Sequence, residues 1–380
     1  MTRRVLMVTH TDVPYDNRIL KEMEALASSP EGMLVHTIGV ALDEGNRSAA
    51  IPTGTSVDTQ RLRSRNWTFL PKPLRYACTM LELLWKITRR GVAWKPDVVH
   101  SHDTMVLPSA ALIAWWCGAK LVYDAHELES DKNGGTSILA WGIKTIERRF
   151  WSRIDLLITV SPSIGDWYLS TFGLKPLAVV LNSPVYAKQL TQNPGSGYLR
   201  RRFGIASDEP LCVYVGLLGR GRGLESLMRV FESPHRRAHL VVVGYGELKE
   251  VCEAVARRST HVHVHDAVPH DELVSLIRDA DLGICLIERV SLSDYLCLPN
   301  KLFEYIAAGV PVLVSDFPEL RRVVETYSCG FVSSEGQNSM EVAISSVEAK
   351  LPPRLPGLPV ELTWATQAKT LVDAYQRMMA

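Results

Sequence analysis

At 380 residues the chain exceeds what one ordinary hydrophobic core serves, and it predicts two cores of similar size. Its 42 basic side chains nearly cancel 41 acidic ones, and a net charge of +1 excludes a global electrostatic pull on nucleic acid. The seven cysteines are odd in number, sit mostly in apolar runs such as those around Cys212 and Cys285, and lack paired metal-ligand spacing, which fits a reducing, cytoplasmic compartment better than disulfides or zinc. No stretch approaches about 18 uninterrupted apolar residues, so a membrane-spanning helix is not expected. The short apolar run in MTRRVLMVTH reads as a first strand and not as a signal peptide.

Short apolar runs alternate with amphipathic helical stretches from end to end, the pattern of parallel sheets flanked by helices. Strands are predicted at 5–9, 35–40, 98–100, 120–123, 156–160 and 178–181 in the first half. The turn THTDVPYDNRILKE joins the first strand to the first helix, with Asp16 or Asn17 placed to cap it. Arg18 then reads equally as a cation lining a ligand crevice or as a first-turn arginine in a salt bridge. His102 and Asp103 follow the strand ending at residue 100, and His126 and Glu127 follow the one ending at 123. Both His-acid pairs fall at carboxyl ends of parallel strands, where side chains reach a crevice. From 61 to 95 nine basic residues meet one acid, Glu82, with Trp67, Phe69, Tyr76, Leu81, Trp85 and Trp94 interleaved. That stretch suits contact with an anionic bilayer or a lipid-phosphate acceptor, and the basic patch 144–153 with Phe150 and Trp151 extends it. The plainer reading is a core-packed helix with a solvated basic face.

Between the halves, 183–210 holds NPGSG and a basic patch at 199–203, and marks a boundary. The expected domains are 1–185, joined by a C-terminal helix over 361–380, and 186–360. Strands in the second half are predicted at 211–215, 238–243, 261–264, 282–286 and 312–314. The first of them runs through glycines at 216, 219, 221 and 223 into a helix near residue 224, with Arg220 and Arg222 in the turn. Such glycines let a backbone approach a ligand, and two permanent cations suit a diphosphate. Gly244 and Gly246 follow another strand, but the third position of a dinucleotide fingerprint is Lys249, so no nicotinamide cofactor is implied. Pro299 and Asn300 close a turn ahead of a helix over 301–308, whose apolar face is Leu302, Phe303, Ile306 and Ala307. A helix start aims unpaired N–H groups at an anion. Lys301 adds a charge there, and Glu304 one turn deeper can accept two sugar hydroxyls, so a ribose diphosphate fits. The plainer reading is an amphipathic helix with a solvated Lys and Glu. The Asp-x-Asp pair Asp279 and Asp281 lies between a helix end and a buried strand, where it reads as turn chemistry and not as a magnesium site.

GLLGRGRGLESL, VVVGYGELKE, VPHDELVSLIRDADLGICL and PNKLFEYIAAGVPVLVSD resemble, in order and spacing, glycosyltransferase family 4, retaining enzymes of GT-B fold. PNKLFEY is similar to a subgroup common among surface-polysaccharide enzymes. The first half resembles the family more loosely, through DNRILKEMEAL, DVVHSHD, LVYDAHE and ITVSPSI. The resemblance implies an α/β chain of two doubly wound Rossmann-like domains facing across a cleft. It implies a donor site of Gly216, Arg220, Arg222, Gly244, Asp294, Pro299, Asn300, Lys301, Leu302 and Glu304, with the diphosphate on backbone amides and Arg222 and the ribose on Glu304. Asp16, Arg18, His102 and Asp103 fall on the acceptor side, and His126, Glu127, Arg220 and Arg222 are the catalytic candidates.

Two positions depart from the family. Leu296 replaces the first of two spaced glutamates, so the transferred sugar must be read differently, through Asp294 or backbone N–H groups. Leu217 stands where an arginine is usual, and Arg220 is placed to supply that charge. The implied reaction moves a sugar from a nucleotide-sugar donor, UDP-sugar favoured, to a glycan, lipid-linked or small-molecule hydroxyl with retention. Front-face attack needs no metal and no cofactor beyond the nucleotide-sugar substrate. The implied location is cytoplasmic, with peripheral contact at the inner face of the plasma membrane. The alternative is a non-catalytic GT-B subunit that binds a nucleotide sugar or a partner glycosyltransferase.

Overall fold

A computed structural model describes residues 2–30, 32–41, 51–185, 197–233, 235–334 and 337–380. The chain divides into two compact units, Met1–Leu181 with Gln367–Ala380, and Asn182–Thr366. Part of the expected boundary segment, 186–196 with the NPGS of its NPGSG, lies outside the described residues.

The first unit is built on seven parallel strands: β1 (Arg4–Val8), β2 (Leu34–Val40), β3 (Thr55–Gln60), β4 (Val98–His102), β5 (Lys120–Ala125), β6 (Leu156–Thr159) and β7 (Leu177–Val179). They lie in the order β3-β2-β1-β4-β5-β6-β7. Its helices are α1 (Asn17–Ala27), α2 (Lys72–Trp94), α3 (Leu107–Cys117), α4 (Ser137–Phe150) and α5 (Pro162–Phe172). Val5 to Val8 are buried on both faces, as a central parallel strand requires. The strand order reverses between β1 and β4, and the carboxyl ends of those strands flank the crevice where such sheets take ligands.

Three features depart from the sequence expectation. β3, TSVDTQ, is a polar edge strand with one neighbour, so it has no apolar run to betray it. β4 reaches His102, and β5 reaches Ala125. The two run on because His102 pairs in register with Asp124, so polar side chains that look like strand ends are strand interior. His102 therefore shares a face with His100, and the two rings stack at 4.3 Å.

The second unit has six parallel strands: β8 (Leu211–Leu217), β9 (His239–Tyr245), β10 (Val262–Asp266), β11 (Leu282–Cys285), β12 (Val312–Ser315) and β13 (Gly330–Ser333). Their order is β10-β9-β8-β11-β12-β13. The helices are α6 (Tyr198–Phe203), α7 (Leu224–Phe231), α8 (Lys249–Ala256), α9 (His270–Ile277), α10 (Leu292–Leu296), α11 (Asn300–Ala307), α12 (Pro318–Tyr327) and α13 (Gln337–Ala349). Tyr214, Leu227, Phe231, Val242, Ile284 and Leu313 centre one core. β13 is a four-residue edge strand of GFVS, too short and too exposed for periodicity to reveal. The chain closes with α14 (Trp364–Met379), whose Leu371, Ala374 and Tyr375 are buried in the first unit.

Candidate functional site

In the second unit the strand order reverses between β8 and β11, and Tyr305 of α11 is inserted where they part. The Val215 N–H donates to its hydroxyl at 2.9 Å, and the hydroxyl donates to the Val213 carbonyl at 2.9 Å, with the Ile284 carbonyl at 3.3 Å. Gly283 leaves room for the ring, since a Cβ there would lie 2.3 Å from it. The buried phenol thus satisfies strand groups left open where the ladder ends, and it ties α11 to the crevice.

Pro299 caps α11 in an extended conformation, as its fixed φ favours. The Leu302 amide donates to the Pro299 carbonyl at 3.1 Å and the Leu302 side chain is core, so this residue offers a ligand neither. The amides of Asn300 and Lys301 are the first-turn groups that a helix leaves open. Lys301 Nζ stands 4.1 Å from the centroid of the Tyr214 ring. Burial, reinforced by Arg222, pushes its ammonium down to about 8. Glu304 is buried one turn further on.

Arg222, from the turn before α7, places Nη1 3.6 Å from Oδ1 of Asp294. Asp294 and Ser291 cap α10 reciprocally. The Ser291 hydroxyl donates to the carboxylate at 2.7 Å and accepts the Asp294 amide at 3.1 Å. Arg220 does not join this group: it is 83% exposed and 4.0 Å from Glu247. Gly216 has φ 119°, a conformation that favours glycine. Gly244 is required by the sheet itself, because a Cβ there would meet the Gly216 carbonyl oxygen at 1.9 Å. Asp279 accepts the amides of Gly197 and Leu199 at 2.9 and 2.8 Å, and Asp281 pairs with Arg200 at 2.6 Å.

The first unit gathers its charged groups at the carboxyl ends of β1, β4 and β5. Asp124 is the hub. Nη2 of Arg18 donates to both of its oxygens at 3.0 Å, Nε donates to Oδ2 at 3.2 Å, and Nη1 goes to the Val180 carbonyl at 3.0 Å. Arg18 also pairs with Glu22 at 3.0 Å. Its guanidinium is therefore spent inside the unit, and of the two expected roles it takes the salt bridge and not the crevice lining. Asp16 caps α1 by accepting the Ile19 amide at 3.2 Å and the Thr11 hydroxyl at 3.1 Å.

His126 follows β5 with Nε2 3.1 Å from Oδ2 of Asp124 and 3.2 Å from Nδ1 of His102. Its Nδ1 is 3.6 Å from Oδ2 of Asp103. Burial opposes charge on this ring, but the carboxylates of Asp103 and Asp124 hold its pKa up at about 10. Asp124 is held well below the usual carboxylate range because Arg18 and His126 outweigh its burial. Burial and the adjacent Asp124 push Glu22 up to about 8 against Arg18. His102 is wholly buried and kept neutral by burial and by His100, so it backs the His126 ring instead of reaching a ligand. His100 in turn shares a 2.7 Å hydrogen bond with the Tyr375 hydroxyl of α14.

Asp103 has φ 65° and ψ 168°, a region nearly restricted to glycine. There its amide donates to the Asp124 carbonyl at 2.9 Å and its carboxylate accepts the His126 amide at 3.2 Å. Glu127 is exposed beside this group. Burial and Asp103 push Glu129 up to about 7 against its partner Lys132, 2.9 Å away. Among the described residues, Glu22, His100, His102 and Asp124 bring donor atoms within 4.8 Å of one another, a spacing that suits a metal ion. Arg18 already supplies a cation to both carboxylates, so a divalent ion would meet a fixed like charge.

Sequence reasoning missed Asp124, Glu22, Glu129, His10 and Tyr305. The available signal was polar residues at period two, His100 and His102, inside a strand whose neighbour carries Asp124. The aromatic stretch is also rearranged. α2 buries only the narrow stripe Thr79, Leu83, Ile87 and Gly91, leaving Leu74, Leu81 and Trp85 exposed on one side. Trp151 is instead buried, stacked on Tyr168, and Trp94 packs on Arg4 and His36. α4 adds exposed Ile138 and Trp141. Among the described residues no helix is long and apolar enough to cross a membrane.

Two family models match, Glycosyltransferase Family 4 over residues 31–183 and Glycosyl transferases group 1 over residues 198–350. Glycogen synthase of Mycobacterium tuberculosis is 27% identical over 250 residues, 61% of this chain and 55% of the relative, so the chain spans little more than half of that protein. Sucrose-phosphate synthase from Thermosynechococcus elongatus superimposes with a TM-score of 0.75 at 15% identity, covering 99% of both chains. HepE from Anabaena, solved with UDP-glucose, gives a TM-score of 0.67 at 14% identity over 99% of this chain and 98% of its own. Both likenesses establish the GT-B fold, two Rossmann-like parallel-sheet domains.

Proposed function

The chain belongs to glycosyltransferase family 4, and we propose that it transfers a sugar, with retention, from a nucleotide-sugar donor to a hydroxyl of a glycan or lipid-linked acceptor. The observation that carries this reading is the group of Lys301, Arg222 and Glu304 at the start of α11, beside the reversal of strand order. A diphosphate there meets two cations and first-turn amides, and Glu304 is placed for ribose hydroxyls. UDP is the favoured carrier, in keeping with the UDP-glucose bound to the similar HepE.

Departure of the diphosphate builds negative charge, which Arg222 and Lys301 stabilise, so the step needs neither a metal nor a covalent nucleophile. In front-face attack the leaving phosphate takes the acceptor proton, and the enzyme supplies orientation. His126, charged and clamped, serves as a hydrogen-bond donor to the sugar or acceptor and not as a base. The exposed apolar and basic side of α2 rests on an anionic lipid surface, which suits a lipid-linked acceptor.

A panel of nucleotide sugars tests the reading. Transfer or slow donor hydrolysis is expected with one of them, and Glu304→Ala and Arg222→Ala should each abolish it. Tight binding with no turnover would instead make the chain a nucleotide-sugar-binding subunit.

A further inference from the structure

We propose that Asp124 is a positioning residue that fixes the ring of His126 and leaves its Nδ1–H as the donor offered to a ligand oxygen. The inference rests on the transferase reading for its consequence, but its geometry stands alone. Asp124 is wholly buried on β5, and its carboxylate cannot turn, because the fork of Arg18 grips both oxygens. Oδ2 accepts Nε2–H of His126 at 3.1 Å, and Nδ1 of His102 lies within reach of the same proton at 3.2 Å. A ring held on that edge has no freedom to flip.

The opposite edge is different. Nδ1 is 3.6 Å from Oδ2 of Asp103, near enough for attraction and too far for a hydrogen bond. The Nδ1–H is thus held charged but unspent, on a side chain that keeps 18% of its surface open. The strained backbone of Asp103 serves the same end, since it brings a second carboxylate to the ring without satisfying it. Arg18, which the sequence offered as a crevice residue, acts one layer below through Asp124.

The titratable and charged groups facing His126 are Asp103, His100 and His102 of β4 and its end, Asp124 of β5 and Arg18 and Glu22 of α1. His10, past β1, and Glu129 and Lys132, past β5, lie around the same carboxylate, Asp103. Asp103 accepts the His126 amide, Asp124 holds the opposite edge of the ring, and the remaining groups have a structural partner or are held neutral, so substitution of Asp124 changes the ring directly.

The test is Asp124→Asn in the full chain, which keeps shape and removes charge. Turnover with the active nucleotide sugar is expected to fall about 100-fold. The Kd for UDP, measured by calorimetry, should stay within about twofold, since its site lies in the other unit. In ring-15N spectra the His126 signal, assigned by its loss in His126→Gln, should titrate several pH units lower than in the unmodified chain. Unchanged turnover, or an unchanged histidine titration, overturns the proposal. If Asp124→Asn does not fold, the unmodified chain still decides: at pH 8 His126 must carry protons on both nitrogens, and a neutral ring overturns the proposal. A chain that uses no nucleotide sugar would remove the transferase reading, while the spectra would still judge the clamp.

Discussion

Lys301 carries the sharpest residue-scale consequence of the proposed donor site. A lysine with a pKa near 8 is only partly charged in mildly alkaline solution, whereas a diphosphate beside it favours the charged form. Binding must therefore take up a proton once pH exceeds about 8, and UDP affinity should fall as pH rises from 8 to 10, approaching tenfold per unit. Calorimetry in buffers of different ionisation enthalpy reads the uptake, and Lys301→Met should flatten the dependence. Affinity that stays level across that range would place Lys301 away from the phosphates.

At this scale the sequence was legible where charge coincided with a helix start, as at Lys301, Glu304 and Arg222. It was illegible at Asp124 and Glu22. Asp124 looks like the polar end of a strand, and Glu22 looks like one more solvated glutamate of an amphipathic helix. Only the pairing of β4 with β5, and the packing of α1 and α14 over them, makes the group a network. Arg18 shows the difficulty plainly, because its two readings differ only in which residue stands opposite.

α11 is the element on which the proposed donor site depends, and Tyr305 is its anchor. Apolar runs made the strands of both sheets predictable, apart from β3 and β13, two of the four edge strands, but no periodicity distinguishes an anchoring tyrosine from a core one. Tyr305→Phe keeps the ring and removes the oxygen, leaving the buried Val215 N–H without its acceptor. That loss costs about 1–3 kcal/mol. Denaturant unfolding should show this decrease, together with weaker UDP binding as α11 loosens at the crevice. Gly283→Ala should cost more, because its Cβ would overlap the ring and no flexible chain end can yield. Wild-type stability in Tyr305→Phe would mean that the phenol is merely packed.

A near-neutral whole molecule conceals an uneven surface. Arg61, Arg63, Arg65, Lys72 and Arg89 are exposed, as are Phe69, Leu81 and Trp85, with Arg89 over the Trp85 ring. Four of these five basic residues held at an anionic membrane contribute about 4 kcal/mol at roughly 1 kcal/mol each, which alone gives only about millimolar affinity. Two inserted aromatic side chains add about 1.5–3 kcal/mol each, so charge and insertion together reach roughly micromolar binding. Neither contribution suffices by itself, and this fixes the expected result. The protein should be retained by vesicles containing anionic lipid at low salt, and released both by neutral vesicles and by about 0.5 M salt, which shortens screening to a few ångströms. Phe69→Ser combined with Trp85→Ser should weaken retention at low salt without altering UDP affinity, because neither residue belongs to the unit that carries the proposed donor site. Retention that ignores lipid charge, or survives both serines, would leave α2 with no role at a membrane.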